Sequence, residues 1–77
     1  KLYGGISDDK ILGDDDNEEI TGDTGHDKLY GGNSDDIIYG SEGNDIVMGN
    51  PGNDSIKGGV GNDKLNGGDD NDLVWGG

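Results

Sequence analysis

The chain has 77 residues, of which 18 are glycine and only 26% are hydrophobic, and it contains no cysteine. This composition excludes a disulfide scaffold, a thiolate metal site and a large apolar core. Eighteen acidic against five basic residues give a net charge of -13, which argues against nucleic-acid binding and favours hard cations that prefer oxygen ligands. No apolar run approaches transmembrane length, so we expect no membrane insertion by this segment.

From Gly4 onward the sequence divides into eight blocks of nine residues without insertion or deletion. In chain order these blocks read GGISDDKIL, GDDDNEEIT, GDTGHDKLY, GGNSDDIIY, GSEGNDIVM, GNPGNDSIK, GGVGNDKLN and GGDDNDLVW. The leading KLY is the end of a preceding block, and the closing GG begins another. We therefore expect residues 1–77 to be one repeat segment, with full repeats over 4–75, and to be a fragment of a larger protein.

Three columns of the repeat are constant in chemical type. Position one is always glycine: Gly4, Gly13, Gly22, Gly31, Gly40, Gly49, Gly58 and Gly67. Position six is always a carboxylate: Asp9, Glu18, Asp27, Asp36, Asp45, Asp54, Asp63 and Asp72. Position eight is always aliphatic: Ile11, Ile20, Leu29, Ile38, Val47, Ile56, Leu65 and Val74, with Leu2 before them.

Each block predicts a six-residue turn followed by a three-residue strand. The first six positions are rich in Gly, Asn, Asp and Ser, which tolerate left-handed backbone angles. The last three positions place one side chain inward and its two neighbours outward. In chain order the predicted strands are 10–12, 19–21, 28–30, 37–39, 46–48, 55–57, 64–66 and 73–75. A helix is excluded because the nine-residue spacing gives no continuous apolar stripe.

These elements predict an all-β fold, a right-handed parallel β-roll (a solenoid) with two short strands per turn. Odd blocks stack as one parallel sheet and even blocks as the other, with the aliphatic column between them. Each inward aliphatic side chain contributes about 2 kcal/mol, whereas ordering a residue costs roughly 1.5 kcal/mol. The core alone does not stabilise the fold, so a ligand in the turns is expected.

The blocks resemble the RTX (repeats-in-toxin) nonapeptide G-G-x-G-x-D-x-U-x over the whole chain, and GGVGNDKLN and GSEGNDIVM fit it best. The resemblance implies a β-roll with calcium-filled turns. It places each Ca²⁺ between block n and block n+2, bound by positions two, four and six of the earlier block and positions one, three and six of the later. Most of these residues would donate a main-chain carbonyl. About six ions are implied, and their positive charge would nearly cancel that of the chain.

We call the stacked turns of blocks one, three, five and seven the odd edge, and the resemblance implies three calcium sites there. The first consists of Gly5, Ser7 and Asp9 with Gly22, Thr24 and Asp27. The second consists of Asp23, Gly25 and Asp27 with Gly40, Glu42 and Asp45. The third consists of Ser41, Gly43 and Asp45 with Gly58, Val60 and Asp63.

The stacked turns of blocks two, four, six and eight form the even edge, which is also expected to hold three sites. The first consists of Asp14, Asp16 and Glu18 with Gly31, Asn33 and Asp36. The second consists of Gly32, Ser34 and Asp36 with Gly49, Pro51 and Asp54. The third consists of Asn50, Gly52 and Asp54 with Gly67, Asp69 and Asp72. Because Asp16 replaces a glycine and Glu18 is longer than aspartate, the site between blocks two and four is predicted to be the weakest.

Residues outside the three columns receive simpler interpretations. His26, at position five, is interpreted as a solvent-facing spacer rather than a metal ligand. Leu12, Tyr30 and Met48 are predicted on one outer face of the coil, and Tyr3, Tyr39 and Trp75 on the other. The lysines Lys10, Lys28 and Lys64 are predicted to align on one sheet. An EF-hand is excluded because Glu19 stands where the loop glycine is required.

The functional prediction is a calcium-binding module that folds on binding extracellular calcium, within a secreted bacterial protein. Family resemblance implies export through a type I secretion channel as an unfolded chain. Two alternatives stay open: a segment of a calcium-rigidified adhesin or surface-layer array, and the accessory module of a secreted protease, lipase or epimerase. No catalytic constellation is present, so we predict that the segment is not an enzyme. The expected partners are calcium ions and the remainder of a parent protein or neighbouring repeats.

Overall fold

The computed structural model describes residues 1–76, which form nine strands in two parallel sheets and, within that range, no helix. The strands are β1 (Leu2–Tyr3), β2 (Lys10–Leu12), β3 (Glu19–Thr21), β4 (Lys28–Tyr30), β5 (Ile37–Glu42), β6 (Ile46–Met48), β7 (Ser55–Val60), β8 (Lys64–Asn66) and β9 (Leu73–Trp75). The predicted all-β class is therefore confirmed.

The two sheets separate even and odd blocks as the repeat predicts. One sheet has the order β1-β3-β5-β7-β9 and the other β2-β4-β6-β8. Every pairing is parallel and joins residues two blocks apart, as in Ile11 with Leu29 and Val47 with Leu65. The result is a parallel β-solenoid of about four turns, measuring 28 × 20 × 12 Å.

The aliphatic column lies between the sheets and forms the core. Five of its members have no solvent-exposed surface: Ile20, Leu29, Ile38, Val47 and Ile56. Leu2, Ile11 and Leu65 are partly buried against them, and Val74 in the last strand is 45% exposed. The sequence predicted that the whole column points inward, but full burial is restricted to members that have stacked neighbours on both sides.

Two strands are twice as long as predicted. β5 and β7 continue through the first three positions of blocks five and seven, where Ser41 pairs with Gly59 and Glu42 with Val60. The amide N–H of Gly43 then donates to the carbonyl of Val60 at 3.1 Å. The main chains of these two turns are therefore in register well beyond the three-residue strands.

The outward side chains lie on the two faces as predicted. Tyr3, Tyr39 and Trp75 belong to one sheet, whereas Leu12, Tyr30 and Met48 are aligned on the other. The lysines at position seven align on the four-stranded sheet, where Lys10 pairs with Lys28, and Lys64 with Ile46. The strand faces therefore carry lysines and exposed apolar side chains, while almost all carboxylates lie at the turns.

Candidate metal centre

The turns have a left-handed backbone at positions two and four. Position two has a positive φ in all eight blocks, and position four in seven of them. Where position four is not glycine, Ser7, Ser34 and Asp70 still hold φ values of 96°, 79° and 73°. An L-amino acid is strained in this region, so the stacking of the turns maintains a conformation that these residues disfavour locally.

The position-six carboxylates point into the solenoid rather than into solvent. Asp27, Asp36, Asp45 and Asp54 are at most 1% exposed. In each, Oδ1 accepts a hydrogen bond from the amide N–H of position six two blocks earlier, as Asp45 does from Asp27 at 2.8 Å. The same bond holds Asp63 and Asp72. Oδ1 of each of these carboxylates is therefore hydrogen-bonded to the turn two blocks earlier.

The second carboxylate oxygen has no hydrogen-bond partner although it is buried. This holds for Oδ2 of six residues: Asp9, Asp27, Asp36, Asp45, Asp54 and Asp63. A buried charged oxygen without a partner carries a large desolvation penalty, and native structures normally satisfy such a group. Six repetitions of the same unsatisfied atom indicate that a cation belongs beside it.

Main-chain carbonyls of the later turn point to the same place. A Cβ atom added to Gly40 would lie 2.6 Å from Oδ2 of Asp45 and 2.7 Å from the carbonyl oxygen of Gly58. The same two neighbours, a position-six Oδ2 and the position-one carbonyl two blocks later, surround Gly22 and Gly49. Position one must therefore be glycine, because the absence of a side chain leaves room for two oxygen atoms in the gap between the two stacked turns.

Carbonyls of the earlier turn also point across the gap between stacked turns. A Cβ on Gly43 would collide with the carbonyl of Gly25, and one on Gly59 would collide with the carbonyl of Ser41. Positions two and four of one block thus direct their oxygen atoms at the block stacked on it. The gaps therefore contain carbonyl oxygens and, except between blocks two and four, a buried carboxylate Oδ2, and both are oxygen ligands that Ca²⁺ prefers.

Side chains alone do not assemble a metal site. Among residues 1–76, no group of three or more His, Asp or Glu side chains converges on one point. A cation in these gaps would need main-chain carbonyls in addition to the carboxylates. That most of the ligands are carbonyl oxygens stays a prediction.

The repeat columns and the oxygen-lined gaps agree with a comparison against known families. The model of the RTX calcium-binding nonapeptide repeat matches in four copies, over residues 12–47 and 48–77. The chain belongs to the RTX calcium-binding repeat family. No significant match was found among curated proteins or among solved structures. The RTX repeat is a structural calcium-binding module, and the present chain is one.

Five of the six predicted RTX sites coincide with a gap that contains an unpartnered Oδ2. On the odd edge these gaps lie between blocks one and three, three and five, and five and seven, and on the even edge between blocks four and six, and six and eight. The side chains at position three, such as those of Thr24, Pro51 and Asp69, are exposed. The ligand sets themselves stay predictions.

The sixth predicted site, between blocks two and four, is built differently. Glu18 has no buried, unpartnered oxygen; its Oε1 lies 3.9 Å from the N-terminal ammonium of Lys1. Asp16 lacks the positive φ that position four has in every other block. This gap therefore lacks the buried, unpartnered carboxylate oxygen of the other five, and its weak binding stays a prediction.

An oxygen pair not predicted from the sequence lies at the end of the odd edge. Oδ2 of Asp63 is buried and unpartnered, and a Cβ on Gly58 would lie 2.6 Å from it and 2.9 Å from the carbonyl of Gly76. Gly76 is the position-one glycine after block eight, so this pair repeats the arrangement found at Gly40 and Gly49. The closing GG carried this signal in the sequence.

Burial changes the acidity of the position-six carboxyl groups. It raises the pKa of Asp27, Asp36 and Asp45, and raises that of Asp54 to about 6, because a charged carboxylate is poorly solvated between the turns. The amide N–H bonded to each one opposes this increase in pKa, and the stacked neighbouring carboxylates add to it. The column is therefore costly to ionise unless a cation is present.

Position five, predicted at His26 to be a solvent-facing spacer, also has a structural role. Its side chains are exposed, as expected, but they accept hydrogen bonds from the main chain two blocks later: Nδ1 of His26 accepts from the N–H of Asn44 at 2.8 Å. A sequence signal existed, since all eight residues at this position are Asp, Asn or His: Asp8, Asn17, His26, Asp35, Asn44, Asn53, Asn62 and Asn71. The column is thus a structural element of the turns.

The described part of the chain contains no helix with the length and hydropathy that a membrane crossing requires.

Proposed function

We propose that this RTX segment folds when it binds extracellular calcium and serves as a structural, secretion-linked module of a secreted bacterial protein. The observation that carries the proposal is the set of six buried Oδ2 atoms without a hydrogen-bond partner. Without cations, stacking the turns would bury several negative charges next to one another. The chain should therefore remain unfolded until a cation neutralises the column.

Calcium fits the gaps better than magnesium. Ca²⁺ accepts six to eight oxygens, carbonyls included, in flexible geometry at roughly 2.3–2.6 Å. Mg²⁺ retains several waters and requires a strict octahedron. The gaps offer carbonyls on irregular turns and one or two carboxylates, so they supply what calcium needs and cannot impose an octahedron. We propose the six predicted ligand sets as the sites, with about six ions per chain.

The location follows from the concentration of the ligand. RTX repeats are typical of secreted proteins. Extracellular calcium modules bind in the range of roughly 0.1–1 mM, so a segment of this kind would be unfolded in the cytosol and ordered outside. Any catalytic activity would lie elsewhere in a parent protein, and the segment would contact that protein or neighbouring repeats.

A calcium titration followed by far-UV circular dichroism tests the proposal, with magnesium as the control ion. We expect a cooperative gain of β signal near millimolar calcium and none at the same magnesium concentration. An equal response to both ions would refute calcium-specific folding. A chain that is fully ordered in chelator would refute the coupling of folding to the metal.

A further inference from the structure

The position-five side chains form a hydrogen-bond ladder along each edge. On the odd edge, Asp8 accepts from the N–H of His26 at 2.7 Å, His26 from Asn44 at 2.8 Å, and Asn44 from Asn62 at 2.8 Å. On the even edge, Asn17, Asp35 and Asn53 accept in the same way from the following blocks at 2.9, 2.7 and 3.0 Å. Every gap between stacked turns is crossed by one such bond.

One atom explains which residues occur in this column. Asp and Asn present Oδ1, and histidine presents Nδ1, so all three carry an acceptor on a planar group one bond beyond Cγ. His26 fits the column for this reason and not as a metal ligand. Position five is absent from the residues with positive φ, so the side chain and not the backbone angle is what is selected there.

The ladder and the position-six bonds cross each gap in opposite directions. Between blocks five and seven, the side chain of Asn44 accepts from block seven, while the N–H of Asp45 donates to Asp63 at 2.8 Å. These two adjacent residues thus tie the turns together from both sides. Asn44 lies in sequence between two predicted ligands, the carbonyl of Gly43 and the carboxylate of Asp45.

We propose that position five is a positioning residue of the calcium site: its δ1 acceptor holds the next turn at the separation that lets oxygens from both turns bind one ion. This inference rests on the proposed function. It predicts that removing the acceptor loosens the gap and weakens its preference for an ion of calcium's size. A residue that merely stabilised the fold would weaken binding of every suitable cation equally.

The test is Asn44→Leu, which keeps the side-chain shape and removes the acceptor. Asn44→Asp is the conservative variant, because it retains Oδ1. Asn62→Leu is the matched control, since it is the same substitution in the same column and, among residues 1–76, no N–H donates to the Asn62 side chain. The folding equilibrium constant of each full chain is measured by urea denaturation at one fixed calcium concentration, and again in strontium, a larger ion.

For Asn44→Leu in calcium we expect a fall of roughly fivefold in the folding constant, the factor expected for one hydrogen bond. The fall in strontium should be smaller, so the calcium-to-strontium ratio decreases. Asn44→Asp and Asn62→Leu should retain the wild-type ratio. If Asn44→Leu does not fold, Asn53→Leu on the even edge is measured in the same way.

Equal losses in the two ions, or no loss, would overturn the positioning role while leaving calcium-dependent folding intact. A wild-type chain that does not respond to calcium would instead refute the proposed function itself.

Discussion

The gap between blocks three and five and the gap between blocks two and four share the same strand register but differ in their oxygens. In the first, Asp27 contributes a buried, unpartnered Oδ2 and Gly25 holds a φ of 107°. In the second, Glu18 has no such oxygen and Asp16 lacks a positive φ. Two gaps with the same parallel strand pairing thus differ at positions four and six, and we expect this difference to decide which of them binds a cation.

The largest expected effect comes from removing one carboxylate from each kind of gap. Asp45→Asn removes the charge from a residue that faces two gaps, whereas Glu18→Gln removes it from the weak one. We expect the free energy of unfolding in saturating calcium to fall by roughly 3 kcal/mol for Asp45→Asn and by less than about 1 kcal/mol for Glu18→Gln. Urea denaturation followed by circular dichroism measures both free energies. Similar losses in the two variants would show that the two gaps do not differ in cation binding.

A smaller loss is expected from filling the space at position one. In Gly40→Ala the new Cβ would lie 2.6 Å from Oδ2 of Asp45, so we expect a destabilisation of about 2 kcal/mol in calcium. Gly76→Ala is the control, because no atom of the described residues outside its chain neighbours lies within 4 Å of its Cβ position, and it should change stability by less than about 0.5 kcal/mol. A Gly40→Ala chain as stable as wild type would show that the gap is wider than described.

Lowering the pH should stabilise the folded state of the calcium-free chain, with a smaller effect than the substitutions above. The folded-state pKa of Asp54 is raised to about 6 and those of Asp27, Asp36 and Asp45 are also raised, so the folded state binds more protons than the unfolded state between roughly pH 4 and 6. Stability is thus highest below about pH 4 and is lost as pH rises through 6.

In chelator, we therefore expect the far-UV β signal to increase on acidification from pH 7 to 4, and calcium binding to weaken over the same range. A calcium-free β signal that stays flat or falls on acidification would mean that the carboxylates are not the obstacle to folding.

The smallest expected effect is an increase in stability when the gap between blocks two and four is given the residues of a strong gap. The double variant Asp16→Gly, Glu18→Asp gives block two the position-four and position-six residues of the strong gaps. We expect it to stabilise the calcium-loaded chain by about 1 kcal/mol and to leave the chain unchanged in magnesium. Calorimetric melting in each ion measures the change; a gain in both ions would assign it to the backbone rather than to calcium.

Much of this structure follows from the repeat period alone. Because Leu29 and Val47 occupy position eight of alternate blocks, an exact nine-residue period can only stack them in one register, and the structure shows that register. The resemblance to the RTX nonapeptide likewise implied that position-one glycines and position-six carboxylates lie in the same gap. Exposure of Val74 could not be read from the column, because burial depends on a stacked neighbour that the repeat does not specify.

Hydrogen bonds across the gaps were beyond the sequence argument. Asn44 and His26 differ in size and in side-chain chemistry, so a search by residue class treats their column as variable, whereas the shared δ1 acceptor is apparent only once the N–H that it binds is known. The extension of β5 and β7 also depends on local backbone geometry at Ser41 and Gly59, which turn propensities alone do not resolve.

The most direct test of the central claim is a crystal structure of the calcium-loaded chain with ions located by anomalous scattering. We predict ions in the gaps, each beside a position-six Oδ2 such as those of Asp27 and Asp45, and the weakest occupancy between blocks two and four. Ions bound only at exposed carboxylates, with the gaps free of metal, would contradict the account.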